Sequence, residues 1–371
     1  ALDLEMSKLS RRKPDPALRA QARRLFASAL ETPGGLKVQT IHAFCTRLLH
    51  QFPFEADVAA RFEVLDEAGE AELLDRMTMA VLLDAAQQQS GPLHDALTLA
   101  IETSSDQTVR DIIRDAIGKR NAILRWVEHA GGIAHVACQL CGALGIAATD
   151  TAESAAHEMI DGPNFPSSSW MSLAATFRQG SKTDNDKADA LEAALAAAGD
   201  PRVDQYTSIF FTKDGDLRKS LATNAIKKID PSLCDRLADE AQRLQTLRSK
   251  RRAVACRDRT LALLTLATDV IGRYRAEKER RGVLDFDDQI DKSVALLART
   301  DAAWVHYKLD SGIDHVLIDE AQDTSPRQWE IVERLVSEFT AGAGARTVNR
   351  SIFAVGDDKQ SIYSFQGADP R

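Results

Sequence analysis

The sequence lacks an apolar run long enough to cross a bilayer. Its most continuous apolar stretch, residues 261–272, is broken by Thr265, Thr268 and Asp269, whereas a spanning helix needs about 20 apolar residues. The first fifteen residues carry acids and Ser where a signal peptide has an apolar core. Cysteine is also scarce: five residues scattered over 371 exclude a disulfide framework and favour reduced thiols. These absences predict a cytoplasmic protein.

Positive charge is in deficit over the whole chain. The 47 Lys and Arg residues against 55 Asp and Glu give a formal charge of -8, which by itself gives no support to nucleic-acid binding. One segment, residues 236–281, departs from this average, with 13 basic residues against 6 acids. Such a run either follows a DNA backbone or forms a solvated helix face with i,i+4 ion pairs. Both interpretations stay open from sequence.

The middle of the chain, residues 66–281, shows helical periodicity throughout. In residues 70–86, for example, one apolar stripe is formed by Leu73, Leu74, Met77, Val81 and Leu82. Residues 161–170 and 181–187 have the polar composition of turns or loops. We therefore predict an all-α middle region that is interrupted by these two segments.

The last quarter has a different pattern. Residues 315–320 and 351–358 are short apolar runs that end in acids, and the segment between them is a helix candidate whose first turn contains Pro326. Strand, helix, strand predicts a βαβ unit with parallel strands. Ligands bind at the carboxyl ends of such strands, so this edge is the predicted site.

The sharpest chemical feature is the adjacent pair Asp319 and Glu320 after the first of these strands. An NTPase needs one carboxylate for Mg²⁺ and a second to orient the attacking water, and we assign Asp319 to the metal and Glu320 to the water. Alternatively, the two acids merely begin the next helix, where the dipole favours negative charge.

A second feature, VGDDKQSIYSFQGADP at 355–370, follows the other strand. The neutral amide of Gln360 suits a hydrogen bond to a γ-phosphate oxygen, and Tyr363 and Phe365 suit stacking on unpaired bases. The alternative is an Asx-type turn that is followed by two core aromatic residues.

Four ordered motifs resemble those of the UvrD-like superfamily 1 DNA helicases. They are VQTIHAFCTRLLHQFP at 38–53, VLDFDDQI at 283–290, VLIDEAQDTSPRQW at 316–329 and VGDDKQSIYSFQGADP at 355–370. The TIHAFC form, the following FEVLDE and the long helical insertion are more similar to the AddA-type helicase-nuclease subunits of bacterial AddAB complexes than to UvrD.

The resemblance implies a fold, ligands and residue roles. The fold is α/β with a large all-α insertion: a partial RecA-like parallel-sheet domain 1A at 1–65 and 283–371, and a helical subdomain 1B at 66–282. The ligands are ATP, Mg²⁺ and single-stranded or duplex-end DNA, and the partner is an AddB-like subunit. The implied site comprises Asp319 for Mg²⁺, Glu320 as catalytic base, Gln360 as γ-phosphate sensor, and Thr40, His42, Tyr363 and Phe365 as DNA contacts.

Two departures from the family pattern qualify these expectations. Ser364 and Gln366 stand where UvrD-like proteins often have Arg, which leaves stacking as the main DNA contact of that motif. The sequence also contains no GxxxxGK(S/T) phosphate loop. Together with the start at Ala1, this leads us to expect a helicase fragment that binds nucleotide poorly by itself. The competing hypothesis is a non-catalytic helical module that binds DNA or a partner protein.

Weaker signals receive structural interpretations. Cys138 and Cys141 form a lone CxxC, which we expect to be part of a helix face rather than a zinc site. Cys45 is expected to be buried. Asp285, Asp287 and Asp288 could suggest a metal cluster, but the family comparison makes this segment structural, with Phe286 and Ile290 packing.

Overall fold

The computed structural model describes residues 6, 13, 15–31, 37–299, 303–310, 313–340, 350–357 and 359. The helices are α1 (Pro16–Leu30), α2 (Ile41–Gln51), α3 (Glu67–Gln87), α4 (Pro92–Thr103), α5 (Asp106–Gly118), α6 (Arg120–Ala130), α7 (Ile133–Leu144), α8 (Ala152–Ile160), α9 (Trp170–Phe177), α10 (Lys182–Ala196), α11 (Gly199–Ser208), α12 (Asn224–Ile229), α13 (Pro231–Arg281), α14 (Phe286–Ala298), α15 (Ala303–Asp310) and α16 (Pro326–Thr340). The strands are β1 (Glu63–Val64), β2 (Val283–Leu284), β3 (His315–Ile318) and β4 (Ser351–Ala354).

The chain divides into two units. The terminal unit contains residues 1–71 and 277–371, and the helical unit contains residues 72–276. The boundaries fall within α3 and within α13. The predicted helical middle is confirmed, since every strand of the described residues lies in the terminal unit.

In the terminal unit, α2, α14 and α16 enclose one apolar core. Its buried members include Leu49, Phe52, Leu297 and Ile331. Strands β3 and β4 pair in parallel, with His315 opposite Ser351 and Ile318 opposite Ala354. This pairing confirms the predicted parallel strands, with α16 between them in sequence.

A second parallel pair was not predicted. β1 pairs with β2, with Glu63 opposite Val283 and Val64 opposite Leu284. The two strands flank the helical segment in sequence, so the chain leaves the terminal unit and re-enters it through neighbouring strands. Two residues per strand are too few to show a strand periodicity in the sequence.

The helical unit contains two apolar clusters. One surrounds Trp170, which stacks on Tyr206 with ring centroids 4.3 Å apart. The other packs Val81, Ile113 and Leu266 from three helices. Among the residues that the structure describes, no helix is long and apolar enough to span a membrane.

The prediction of a loop at 181–187 is wrong, because α10 begins in this segment. Ser181 and Asp184 form a capping box, and Asp184 is fully buried. The Thr223 hydroxyl also donates to Asp184. The polar residues that indicated a loop are therefore satisfied by helix capping and by a partner 39 residues away in sequence.

Candidate functional site

The candidate site lies at the carboxyl end of β3. Val355 donates its backbone N–H to the Ile318 carbonyl at 2.9 Å, and Ala321 donates to the Val355 carbonyl at 2.8 Å. The parallel ladder therefore continues past the assigned strands. It brings the acid pair, Asp319 and Glu320, beside the segment that leaves β4.

Glu320 has an unusual backbone conformation. Its φ is 52° and its ψ is 45°, in the left-handed region, where non-glycine residues are uncommon. Glu320 precedes a short 3₁₀ turn, Ala321–Asp323. Its side chain and that of Asp319 are both exposed. Strained backbone of this kind is concentrated at functional sites, so the conformation is consistent with a positioned carboxylate.

Gln322 connects the acid pair to the second motif, a role that the sequence did not reveal. Its side-chain amide donates to Glu320 Oε2 at 2.6 Å. Its Oε1 accepts from the Asp357 backbone N–H at 3.0 Å. The residue is only 4% exposed, so its two hydrogen bonds are costly to lose. The sequence signal that pointed to this role was an amide side chain two residues after Glu320.

Gly356 permits this close approach. A Cβ built on Gly356 would lie 2.7 Å from Gln322 Oε1 and 3.1 Å from the Gln322 backbone nitrogen. A side chain at this position would displace the Gln322 amide oxygen and crowd the Gln322 backbone. The glycine is therefore required by packing rather than by a left-handed turn.

The residues present fit Mg²⁺, which the family resemblance implies. Asp319 Oδ1 accepts from the Glu320 N–H at 3.0 Å, which leaves Oδ2 for a cation. Asp323 Oδ1 is buried without a hydrogen-bond partner. No group of three or more metal-ligating side chains occurs in the described part of the chain. One or two carboxylates are what Mg²⁺ takes from protein when substrate phosphates supply other ligands.

The other predicted members of the second motif have no described position. Gln360, Tyr363 and Phe365 lie outside the described residues, as do Ser364 and Gln366. Their assigned contacts with nucleotide and DNA stay predictions.

Thr40 and His42 lie at the start of α2. Thr40 Oγ1 accepts from the Ala43 N–H at 3.2 Å and caps the helix. His42 is partly buried edge-on against Phe286, with ring centroids 5.2 Å apart. Desolvation lowers the pKa of His42, and the charge of Asp287 opposes this shift. Both side chains therefore make structural contacts within the protein, in addition to the DNA contacts that are predicted for them.

Asp285 and Asp288 have structural roles, as the family resemblance led us to expect. Asp285 caps α14 and accepts from the Lys278 ammonium at 2.7 Å. Asp288 accepts from the same Lys278. Burial and the neighbouring Asp285 raise the pKa of Asp288. Ile290 is buried, and Phe286 packs edge-on against His42 while it stays 38% exposed.

The cysteines offer no metal site among the described residues. Cys138 is exposed and Cys141 is buried, although both lie on α7. Cys45 is fully buried, as predicted, and burial raises the pKa of its thiol to about 11.

Two exposed acids at the end of a parallel strand are the arrangement in which an NTPase holds Mg²⁺ and orients the attacking water. The UvrD/REP helicase N-terminal domain model matches residues 17–371. The chain belongs to this family, which implies a RecA-like fold.

Several curated helicases are similar over part of the chain. A segment of 98 residues is 40% identical to an ATP-dependent helicase/nuclease of Latilactobacillus sakei, covering 26% of this chain and 10% of that protein. The ATP-dependent DNA helicase Rep of Salmonella typhimurium is 42% identical over 100 residues, covering 27% and 13%. The RecB component of the RecBCD enzyme of Mycolicibacterium smegmatis is 35% identical over 106 residues, covering 29% and 9%. The matched segments thus span about a tenth of the length of these relatives.

Proposed function

We propose that this chain is part of an ATP-dependent DNA helicase that moves along single-stranded DNA and unwinds duplex ends for recombinational double-strand break repair. The observation that carries the proposal is the exposed pair Asp319 and Glu320 at the end of β3, hydrogen-bonded through Gln322 to the segment after β4. The similarity to helicase/nuclease proteins supports the repair role.

Each residue of the pair has a separate task. Asp319 would hold Mg²⁺ beside the nucleotide phosphates, and the bound ion would neutralise charge that develops on them. Glu320 would accept a proton from the attacking water. The Gln322 amide holds one Glu320 oxygen and leaves the other free to face that water.

The division of the chain fits this scheme. The terminal unit would be part of RecA-like domain 1A, with boundaries near 1–65 and 283–371, and the helical segment 66–282 would be subdomain 1B. Gln360 would sense the γ-phosphate of ATP, and Thr40, His42, Tyr363 and Phe365 would contact single-stranded DNA. An AddB-like protein is the proposed partner.

The decisive experiment is Glu320→Gln in the natural protein, expressed from its complete reading frame. We expect ATP turnover to fall at least about 100-fold, because general-base catalysis contributes roughly 10²–10⁴-fold. Affinity for single-stranded DNA should be unchanged. Glu333→Gln, an exposed glutamate of α16 in the same unit, is the matched control and should turn over ATP normally. Normal turnover in Glu320→Gln would instead favour a non-catalytic module with structural acids.

A further inference from the structure

The CxxC pair, Cys138 and Cys141, lies on α7 in the helical unit. Both residues are free thiols, but their surroundings differ: Cys138 is exposed, whereas Cys141 is only 6% exposed. In the described part of the chain, no third metal-ligating side chain joins them. The pair is thus a dithiol in which one sulfur faces solvent and the other faces the protein interior.

The spacing of the two cysteines suits a disulfide. Residues three apart in an α-helix have Cα atoms about 5 Å apart, which lies within the range of about 4.4–6.8 Å that disulfides span. Their Cβ atoms, about 5–6 Å apart in a regular helix, must approach by about 1–2 Å. The helix ends at Leu144, and the space beside Gly142 is open. Only the last turn of α7 therefore has to adjust.

A buried cation lies beside the inner sulfur. Arg257 of α13 is 8% exposed and donates to Cys141 Sγ at 3.9 Å. The same guanidinium donates to the Asp150 carbonyl at 2.8 Å and pairs with Asp258 at 2.8 Å, so its position is fixed. Because the thiolate is the nucleophilic form of cysteine and a neighbouring Arg favours it, Arg257 is placed to assist an attack by Cys141.

We propose that Cys138 and Cys141, here called the dithiol site, exchange with low-molecular-weight disulfides such as oxidised glutathione and form a reversible disulfide within α7. Cys138 attacks first because it is the exposed sulfur. Cys141 resolves the mixed disulfide because it is shielded from solvent and lies one helical turn away. Arg257 is a positioning residue for Cys141. In a compartment that keeps thiols reduced, such a disulfide is transient.

The exchange has two steps, and each conserves atoms and electrons. In the first step the Cys138 thiolate attacks one sulfur of oxidised glutathione, the S–S bond breaks, and one glutathione leaves and takes up the proton that Cys138 released. In the second step the Cys141 thiolate attacks the Cys138 sulfur, and the other glutathione leaves with the proton of Cys141. The two protein thiols give up two electrons, which reduce one disulfide molecule to two thiols.

Oxidation of the dithiol site affects more than α7. When the Cys141 sulfur turns towards Cys138, it leaves the Arg257 guanidinium. Arg257 also donates to the carbonyls of Ala147 and Asp150, which lie between α7 and α8. The disulfide therefore removes one of the contacts that join this part of the helical unit to α13.

The test treats the 371-residue protein with glutathione buffers of different disulfide-to-thiol ratios, without ATP or DNA. Samples are quenched with acid, and free thiols are then alkylated with N-ethylmaleimide in denaturant. Residues 126–178 form one tryptic peptide that contains no cysteine besides Cys138 and Cys141, and its mass reports the state of the pair. Circular dichroism verifies that each variant is folded before treatment.

We expect this peptide to lose both alkyl groups and the mass of two hydrogen atoms as the share of oxidised glutathione rises. In Cys141→Ser, the glutathione adduct on Cys138 should persist, because no second thiol displaces it. In Cys138→Ser, Cys141 should stay free because it is buried. Cys256→Ser, the matched control at an exposed cysteine of α13, should form the disulfide like the unaltered protein.

Two results would overturn the proposal. One is a peptide that stays doubly alkylated in the unaltered protein at every ratio. The other is a glutathione adduct on Cys138 that lasts equally long with and without Cys141. Because no nucleotide is present, both results are independent of the Glu320→Gln experiment.

Variants of Arg257 test the second step separately. Arg257→Gln removes the charge beside Cys141, and decay of the mixed disulfide should slow at least about tenfold, the equivalent of one hydrogen bond to a charged group. Arg257→Lys keeps the charge and should restore most of the rate, which a purely structural role would not require. Equal decay in all three proteins would overturn the role assigned to Arg257.

Discussion

The strand-end site and the dithiol site each place two reactive side chains close together, but they support them differently. At the strand end, two carboxylates are adjacent in sequence and are delivered by one four-residue strand, β3. In the dithiol site, two thiols lie one turn apart on α7, and the cation beside them comes from α13. The first site is local in sequence, and the second depends on the packing of α7 against the long helix.

The supporting contacts differ in the same way. Glu320 is held by Gln322, two residues away. Cys141 is contacted by Arg257, 116 residues away in sequence. A disturbance of helical packing should therefore damage the dithiol site and spare the strand end, whereas a change near Gln322 should do the reverse. The following predictions test this separation.

The largest effect is expected from Glu240→Ala in the helical unit. Glu240 is fully buried, accepts from the Tyr206 hydroxyl at 2.8 Å and pairs with Arg243 at 2.6 Å. Its removal leaves a partly buried guanidinium without its counter-ion, which costs about 3 kcal/mol. The free energy of unfolding, measured by urea denaturation with circular dichroism, should fall by that amount. Asp239→Ala, the exposed neighbour on the same helix, should change it by less than about 0.5 kcal/mol.

Thiol alkylation provides the second readout for Glu240→Ala. In a Cys138→Ser background, N-ethylmaleimide should alkylate the buried Cys141 faster once Glu240 is replaced, because unfolded molecules become more populated. An unchanged alkylation rate in a clearly destabilised protein would show that the dithiol site does not need this buried network.

An intermediate effect is expected from Gln322→Leu in the natural protein. The substitution keeps the side-chain volume but removes both the hydrogen bond to Glu320 and the one from the Asp357 N–H. A misplaced general base costs up to about 100-fold in turnover, so kcat should fall while disulfide formation in the helical unit is unchanged. Gln87→Leu, at an exposed glutamine that ends α3, serves as the control. Slower disulfide formation in Gln322→Leu would contradict the separation of the two sites.

The smallest effect concerns His42 and pH. Because burial lowers the pKa of His42, the folded state disfavours its protonated form. The stability that the neutral ring contributes is present above the ordinary value of about 6.5 and is lost as pH falls through the lowered pKa. Urea denaturation between pH 7.5 and 5 should show this loss, and His42→Leu should reduce the slope. The exposed His129, changed to Leu, should leave the slope as it is.

Much of the terminal unit was predictable because its signals are local. The β3–α16–β4 order follows from two apolar runs and a helix that begins at Pro326. Cys45 is buried as predicted, and the packing of Ile290 was predicted only through the family resemblance. The β1–β2 pair was missed, since its two-residue strands carry no periodicity of their own. The start of α10 was predicted as a loop from its polar composition, and one partner of the buried Asp184, Thr223, lies 39 residues away in sequence.

The sequence by itself determined where the acid pair lies, since two acids that directly follow a strand reach its carboxyl edge together. It also determined the helical character of the insertion through its apolar periodicity. Only the tertiary structure decided which basic residues form ion pairs. Lys250 meets Glu158 across 92 residues and Arg273 meets Asp84 across 189, and ion pairs of such separation leave no pattern in the sequence. The tertiary structure likewise gave Gln322 its bridging role, because the second partner, Asp357, lies on the segment after the other strand.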